Sequence, residues 1–200
     1  MFSHPDYFDI NIGSICYVRQ NEPKGLGHAV LCAKNLINNE PFAVMSADDF
    51  ILSPKSCIGE MIKNYNGANM VATMPVARES VKRYGILDVE RQEGQLIYAK
   101  SVDEKPSVEQ AKSNIAIVGR YVLSADIFEI LEHLEPGVNG EVQLTDALLK
   151  MISSCGLVGF NFEGQRFDCG SKDGLLAAIL RVASGNERMK KVIDEFVREN

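Results

Sequence analysis

Asp48 and Asp49 close the apolar run of PFAVMSADDF. A short buried strand that stops on two adjacent carboxylates is how an open α/β sheet presents a metal at its carboxyl edge. If the strand runs on through them, their side chains alternate in direction, so one can face a ligand while the other anchors the loop. A strand-to-loop transition with two solvated acids accounts equally well for the pair taken alone. Asp168 of FDCGS reads by itself as a turn residue before glycine. Read with Asp48, it supplies the second carboxylate of a divalent-metal site, because Mg²⁺ is held by one or two carboxylates together with substrate phosphates. Glu104 and Lys105 of VDEKPS set a bidentate acceptor for sugar hydroxyls beside a cation for a phosphate, with Gly85 of YGILD as the third member of the group. A solvated pair at a strand end is the plainer account of these two residues.

A further piece is QNEPKGLGHA, residues 20–29. Gly25 and Gly27 let backbone approach a flat or anionic ligand, and the helix that opens there offers free N–H groups. The Gln20 amide, both donor and acceptor, suits a nucleobase edge. The stretch matches neither G-x-x-x-x-G-K-[ST] nor G-x-G-x-x-G, and a loop that serves only the turn is the alternative.

The elements that must position these residues alternate. SICYVRQ (14–20) is β-branched and aromatic, a strand by composition. A helix follows the glycine loop, PFAVMSADD is the second strand, 57–65 a helix and 68–76 a third strand. The near-continuous apolar character of PFAVMSADD suits a parallel strand covered on both faces, and the β-α-β-α-β order calls for a largely parallel, doubly wound sheet. YGILDVE and QLIYAKSV, with Gly94 between them, read as an antiparallel hairpin. SNIAIVGRYVLS is a strand whose interior Gly119 marks a bulge or a close approach. A helix capped by Ser124, a second helix over EVQLTDALLKMISS, strands LVGFNFEG and QRFDCGS, and two closing helices complete the chain.

The 200 residues, with 46% hydrophobic and 24% charged, bound one soluble domain spanning 1–200. A net charge of −6 excludes a surface that wraps nucleic acid. No run reaches the ~20 apolar residues of a membrane span, and MFSHPDYFDINIG has no signal-peptide pattern, so no membrane partner and a cytoplasmic location are expected. Five cysteines, odd in number and without C-x-x-C, read as reduced thiols.

Taken in order, QNEPKGLGHAVLCA, SADD, YGILDVE, VDEKPS, SNIAIVGRYVLSADIFEIL, GEVQLTDAL and RFDCGSKDG resemble bacterial UTP–glucose-1-phosphate uridylyltransferases (UDP-glucose pyrophosphorylases) over about residues 16–185. The resemblance implies a Rossmann-like mixed, mostly parallel sheet flanked by helices, of the nucleotide-diphospho-sugar transferase type. It implies uridylyl transfer from UTP to glucose 1-phosphate, giving UDP-glucose and pyrophosphate. Gln20 and Gly25 match the uridine-contacting segment. Asp48 and Asp168 match the Mg²⁺ ligands, and Lys105 matches the lysine at the sugar phosphate. Glu104 matches the glucose-hydroxyl acceptor and Gly85 a backbone contact, while Asn114 and Gly119 match the strand lining the sugar pocket. Members of the family are commonly dimers or tetramers. The closing helix carries Met189, Val192, Ile193, Phe196 and Val197 at helical spacing, a stripe expected first of all to dock on its own domain.

The family's G-x-G-T-R loop and P-K-E-M-L-P segment have no counterpart here, so the chain resembles an N-terminally truncated member, the C-terminal two-thirds of the fold. The expectation is that sugar-phosphate and metal binding persist while transfer by this chain alone does not. The alternatives are a non-catalytic sugar-nucleotide-binding or interaction module and a sugar nucleotidyltransferase of other nucleotide or sugar specificity.

Overall fold

The computed structural model describes residues 15–137 and 140–199. Its centre is a six-stranded sheet in the order β1 (Phe42–Met45), β6 (Ile115–Leu123), β3 (Asn69–Pro75), β7 (Leu157–Asn161), β5 (Leu96–Glu104) and β4 (Gly85–Glu93). Alternation along the strands sends side chains to two faces. Ile117, Tyr121 and Leu123 of β6 join Val71 and Leu157 under α1 (Leu26–Cys32), α3 (Ile127–Glu132) and α4 (Leu144–Cys155). Val118 and Val122 join Met70, Val158 and Phe160 under α2 (Cys57–Asn64), where Met61 is fully buried. Ser56 caps α2 by accepting from the Gly59 N–H, the cap expected of a hydroxyl at a helix start.

The sheet is mixed, but it is not mostly parallel. Among the described residues β3–β7 is its one parallel pairing; β1–β6, β3–β6, β5–β7 and β4–β5 are antiparallel. β6 inserts between β1 and β3, the two strands that the crossover through α2 would otherwise set side by side. The two-face burial expected of PFAVM fails as well: β1 alternates half-buried and exposed residues, with Met45 59% exposed, so its apolar composition reported neither its coverage nor the direction of its neighbour.

Two other expectations also shift. Residues 15–20 form no ladder with either sheet, and Tyr17 is exposed. Ser124 lies two residues ahead of the α3 cap position, Asp126, and its hydroxyl donates to the Asp126 carboxylate. The hairpin forms as expected, with Gly94 at φ 60 in its turn.

A second, two-stranded ladder carries the acids. β2 (Asp49–Leu52) pairs antiparallel with β8 (Gln165–Asp168), and Asp49 stands directly across from Asp168. The apolar strand therefore ends at Met45, and a tight turn at 46–48 separates it from Asp49. Helices α5 (Lys172–Ser184) and α6 (Glu187–Glu199) follow β8. Among the described residues of α6 none is buried, and Val192 and Val197 stay 61% and 68% exposed, less covered than the expected docking on the chain's own domain calls for.

Candidate functional site

Gly119 is where the sheet and the acidic ladder meet. Val71 faces Tyr121 and Thr73 faces Ile117, so three β6 residues, 118–120, oppose Ala72 alone. The bulge pushes the Gly119 backbone toward the 46–49 turn. The Ser46 N–H donates to the Gly119 carbonyl at 2.8 Å, and the Gly119 N–H donates to Asp49 Oδ2 at 2.5 Å. A Cβ on Gly119 would lie 2.5 Å from Ser46 Cβ and 2.6 Å from Asp49 Oδ2. Glycine is required by space here, not by φ.

Two arginines fix that turn. Arg120 donates to the carbonyls of Ser46 and Gly119 at 2.9 Å each and to that of Asp49. Arg166 ion-pairs with Asp49 Oδ1 through Nε and Nη2, and Asp49 and Arg166 side chains are only 8% and 11% exposed. Burial opposes the charge on Arg166. Its pairing with Asp49, together with the negative potential of Tyr84 and Asp168, nevertheless holds its pKa above the ordinary value. Asp49 is thus the anchor of the acidic pair and Asp48 the exposed member.

Asp48 and Asp168 converge. A Cβ placed on Gly170 would meet Asp48 Oδ2 at 3.0 Å and Asp168 Oδ1 at 3.3 Å. The Cys169 N–H, donating to the Asp48 carbonyl at 2.8 Å, holds the two loops together. Two hard carboxylate oxygens reaching one point that glycine leaves open fit a hard divalent cation that takes its remaining ligands from phosphate and water. Among the described residues no group of three or more His, Cys, Asp or Glu is placed to hold a metal.

Across the same cleft, of about 410 Å³, stand Gly85, Glu104 and Lys105. Lys105 Nζ lies 3.2 Å from Glu104 Oε1, and the Thr145 hydroxyl donates to Glu104 Oε2 at 2.8 Å, so both carboxylate oxygens are oriented. Gly85 makes room for Thr145, whose Cγ2 would be 2.8 Å from an added Cβ. Lys105 has φ 47, a left-handed conformation that side chains avoid and that is further disfavoured before Pro106; its N–H is tied to the Tyr84 carbonyl at 3.0 Å. Such strain persists where the surrounding structure over-determines it.

Asp48, Gly85, Glu104, Lys105, Gly119 and Asp168 therefore line one cleft. Asn114 stands outside its lining; exposed, it exchanges hydrogen bonds with the Val76 backbone, each 3.0 Å. Gln20 and Gly25 also lie outside it. The Gln20 amide nitrogen donates to the Gly25 carbonyl at 3.1 Å and lies 2.9 Å from His28 Nδ1. Gly25 and Gly27 allow the loop to sit on residues 141–142, with the Gly27 N–H on the Val142 carbonyl at 2.9 Å and the Val142 N–H on the Lys24 carbonyl at 2.8 Å. This docking brings Leu26 and Glu141 to the cleft wall. Arg83, Tyr84, Thr145 and Arg166 also line it; the last three lie inside stretches that carry the resemblance, but none is among the expected site residues. A larger groove, about 1140 Å³, runs along α5 and α6; its described lining is mostly apolar, with Leu175, Ile179, Val182 and Val192, and among the described residues it holds no acid.

Comparison with known proteins gives this geometry its context. The sequence profile described as nucleotidyl transferase matches residues 7–185. The chain is 40% identical over 193 residues to UTP–glucose-1-phosphate uridylyltransferase 1 of Staphylococcus saprophyticus, covering 96% of this chain and 67% of that protein. It is 47% identical over 150 residues to UTP–glucose-1-phosphate uridylyltransferase of Komagataeibacter xylinus, covering 74% and 53%. A crystal structure of UDP-glucose pyrophosphorylase complexed with UDP-glucose superposes with TM-score 0.78 at 43% identity, covering 82% of this chain and 63% of that one. The chain thus spans from about half to two thirds of the length of these relatives.

Proposed function

Since the chain belongs to the nucleotidyl transferase family, in the branch of the UTP–glucose-1-phosphate uridylyltransferases, we propose that its cleft serves uridylyl transfer from UTP to glucose 1-phosphate, with UDP-glucose and pyrophosphate as products. The observation that carries this reading is that a sugar-type pair, Glu104 and Lys105, and a metal-type pair, Asp48 and Asp168, face one cleft. The names of the relatives favour UTP and glucose 1-phosphate over other nucleotides and sugars, and they leave the non-catalytic module without support.

In this reading Glu104, oriented by Thr145 and Lys105, accepts from glucose hydroxyls, and the Gly85 backbone contacts the sugar. Lys105 draws the sugar phosphate, and its fixed backbone aims that charge. Asp48 and Asp168 hold Mg²⁺, which when bound neutralises charge on the phosphates. The sugar phosphate oxygen forms a bond to the α-phosphorus of UTP in line with the bond that breaks, and pyrophosphate leaves with that electron pair. Positioning and charge neutralisation supply the rate, with no covalent enzyme intermediate. Gly119 acts by seating the 46–49 turn. Gln20 and Gly25 serve the uridine from the rim through the loop that carries Leu26, and Asn114 supports the start of the sugar-pocket strand.

The six-stranded sheet and the two-stranded ladder are joined at Gly119 by hydrogen bonds to Ser46 and Asp49, which supports a single nucleotidyltransferase-like unit. All five cysteines are free thiols, as a reduced, cytoplasmic setting requires, and no described helix is long and apolar enough to cross a membrane. The exposure of the apolar Val192 and Val197 on α6 supports self-association as a dimer or tetramer.

The test is a thermal shift. UDP-glucose should raise the melting temperature in an Mg²⁺-dependent way, and Glu104→Ala should abolish the rise. No shift at millimolar ligand would sink the reading.

A further inference from the structure

Asp49 poses a question that the proposed chemistry leaves open: why a carboxylate beside the metal pair is buried rather than offered to the ligand. Its partners give the answer. Asp49 stands directly across the β2–β8 ladder from Asp168, and like charges in that position repel. Arg166, two residues before Asp168 and on the same face of β8, sits between them. It is not shared evenly. Nε and Nη2 both go to Asp49, and Nη1 donates to the Tyr84 hydroxyl at 3.2 Å. Its nearest approach to Asp168 Oδ2 is 3.9 Å, an ion pair without a hydrogen bond. The other arginine near Asp168, Arg83, reaches Oδ2 at 3.3 Å from a side chain that is 61% exposed, so water can release it. Arg166, at 11% exposed, has no such exit.

We propose that Asp49 is a positioning residue that captures the Arg166 guanidinium and so keeps it off Asp168, leaving Asp168 open to a divalent cation shared with Asp48. This rests on the reading of Asp48 and Asp168 as the cation ligands. A guanidinium bound bidentately to Asp168 would occupy the oxygens the cation needs. Asp49 thus sets cation affinity without touching the cation. Gly119 completes the device, because its N–H on Asp49 Oδ2 fixes the carboxylate that Arg166 follows.

The probe is Mn²⁺, titrated in the presence of UDP-glucose, with free Mn²⁺ read by electron paramagnetic resonance. Melting without metal or ligand reports folding separately. Asp49→Asn keeps an oxygen for the Gly119 N–H but frees the charge of Arg166, and Mn²⁺ binding should weaken at least tenfold. Arg166→Gln added to Asp49→Asn removes the competing cation, and binding should return to within threefold of the unsubstituted chain. Arg166→Gln alone should also stay within threefold even though its melting temperature falls, which tests the idea should the double variant fold poorly. If Asp49 merely shaped the turn, the double variant would bind Mn²⁺ no better than Asp49→Asn, and that result overturns the proposal. So does unchanged binding by Asp49→Asn. Loss of Mn²⁺ binding in Asp48→Asn shows that the underlying ligand assignment holds whichever way the other variants fall; retention there overturns both.

Discussion

Replacing Gly119 by alanine is the most severe test of how the acidic turn is seated. The added methyl would stand 2.5 Å from Ser46 Cβ and 2.6 Å from both Ser46 Oγ and Asp49 Oδ2. Carbon contacts settle near 3.5–4.0 Å, so the turn must retreat by about 1 Å. It is not free to do so. Arg120 holds the carbonyls of Ser46 and Asp49, and Arg166 holds the Asp49 carboxylate. Overpacking of this kind costs about 1–3 kcal/mol. Stretching the bond from the Gly119 N–H to a buried carboxylate adds about 1.5–3 kcal/mol. A total near 3–5 kcal/mol corresponds to a Tm lower by about 6–20 °C for a chain of this size. Scanning calorimetry of Gly119→Ala should be set beside Gly94→Ala. Gly94 has φ 60 and nothing within 4 Å of an added Cβ, so there only the left-handed backbone is strained, by about 1–2 kcal/mol. If Gly119→Ala lowers Tm no more than Gly94→Ala does, the account of the turn is wrong.

Other perturbations test separate parts. Thr145→Val removes the donor to Glu104 at nearly constant volume; calorimetric titration should find UDP-glucose bound about tenfold more weakly, and an unchanged Kd would remove Thr145 from the site. Burial pushes the Cys57 thiol up to about 11 against a weaker opposing pull from Arg120. The folded state therefore keeps a proton that the unfolded state loses near pH 9, so stability is level below that pH and falls as pH rises toward 11. Cys57→Ala should lose that slope in urea titrations, and at pH 8 a thiol reagent should modify exposed Cys16 long before Cys57. Val192→Glu should convert an oligomer to monomer in sedimentation while moving Tm by little, since Val192 is 61% exposed; a monomeric unsubstituted chain would contradict the interface.

The fold was legible where local chemistry decides it and obscure where a partner does. Gly94 between two alternating runs specified the hairpin, and Gly119 announced a bulge that is present. SICYVRQ has the composition of a strand, but its described residues, 15–20, form no ladder with the described strands, because β-propensity reports fit to a pleated surface and cannot supply the neighbouring edge. The site divides the same way. Glu104 with Lys105, and Asp48 with Asp168, stood out because adjacent or motif-borne charges are visible in one dimension. Which of Asp48 and Asp49 turns outward depended on Gly119 and Arg166, 70 and 117 residues away. Thr145 acts through its hydroxyl on Glu104 and Arg166 through Asp49 and Tyr84, partners distant in sequence, so neither role shows in the residue's own neighbourhood.

The central claim is that one cleft holds the sugar on Glu104 and Lys105 and a cation on Asp48 and Asp168. A crystal structure with UDP-glucose and Mn²⁺ tests it directly. The account predicts glucose hydroxyls on the Glu104 carboxylate and an anomalous Mn²⁺ peak touched by Asp48 and Asp168 but not by Asp49. A peak on Asp49, or UDP-glucose bound outside this cleft, would contradict it.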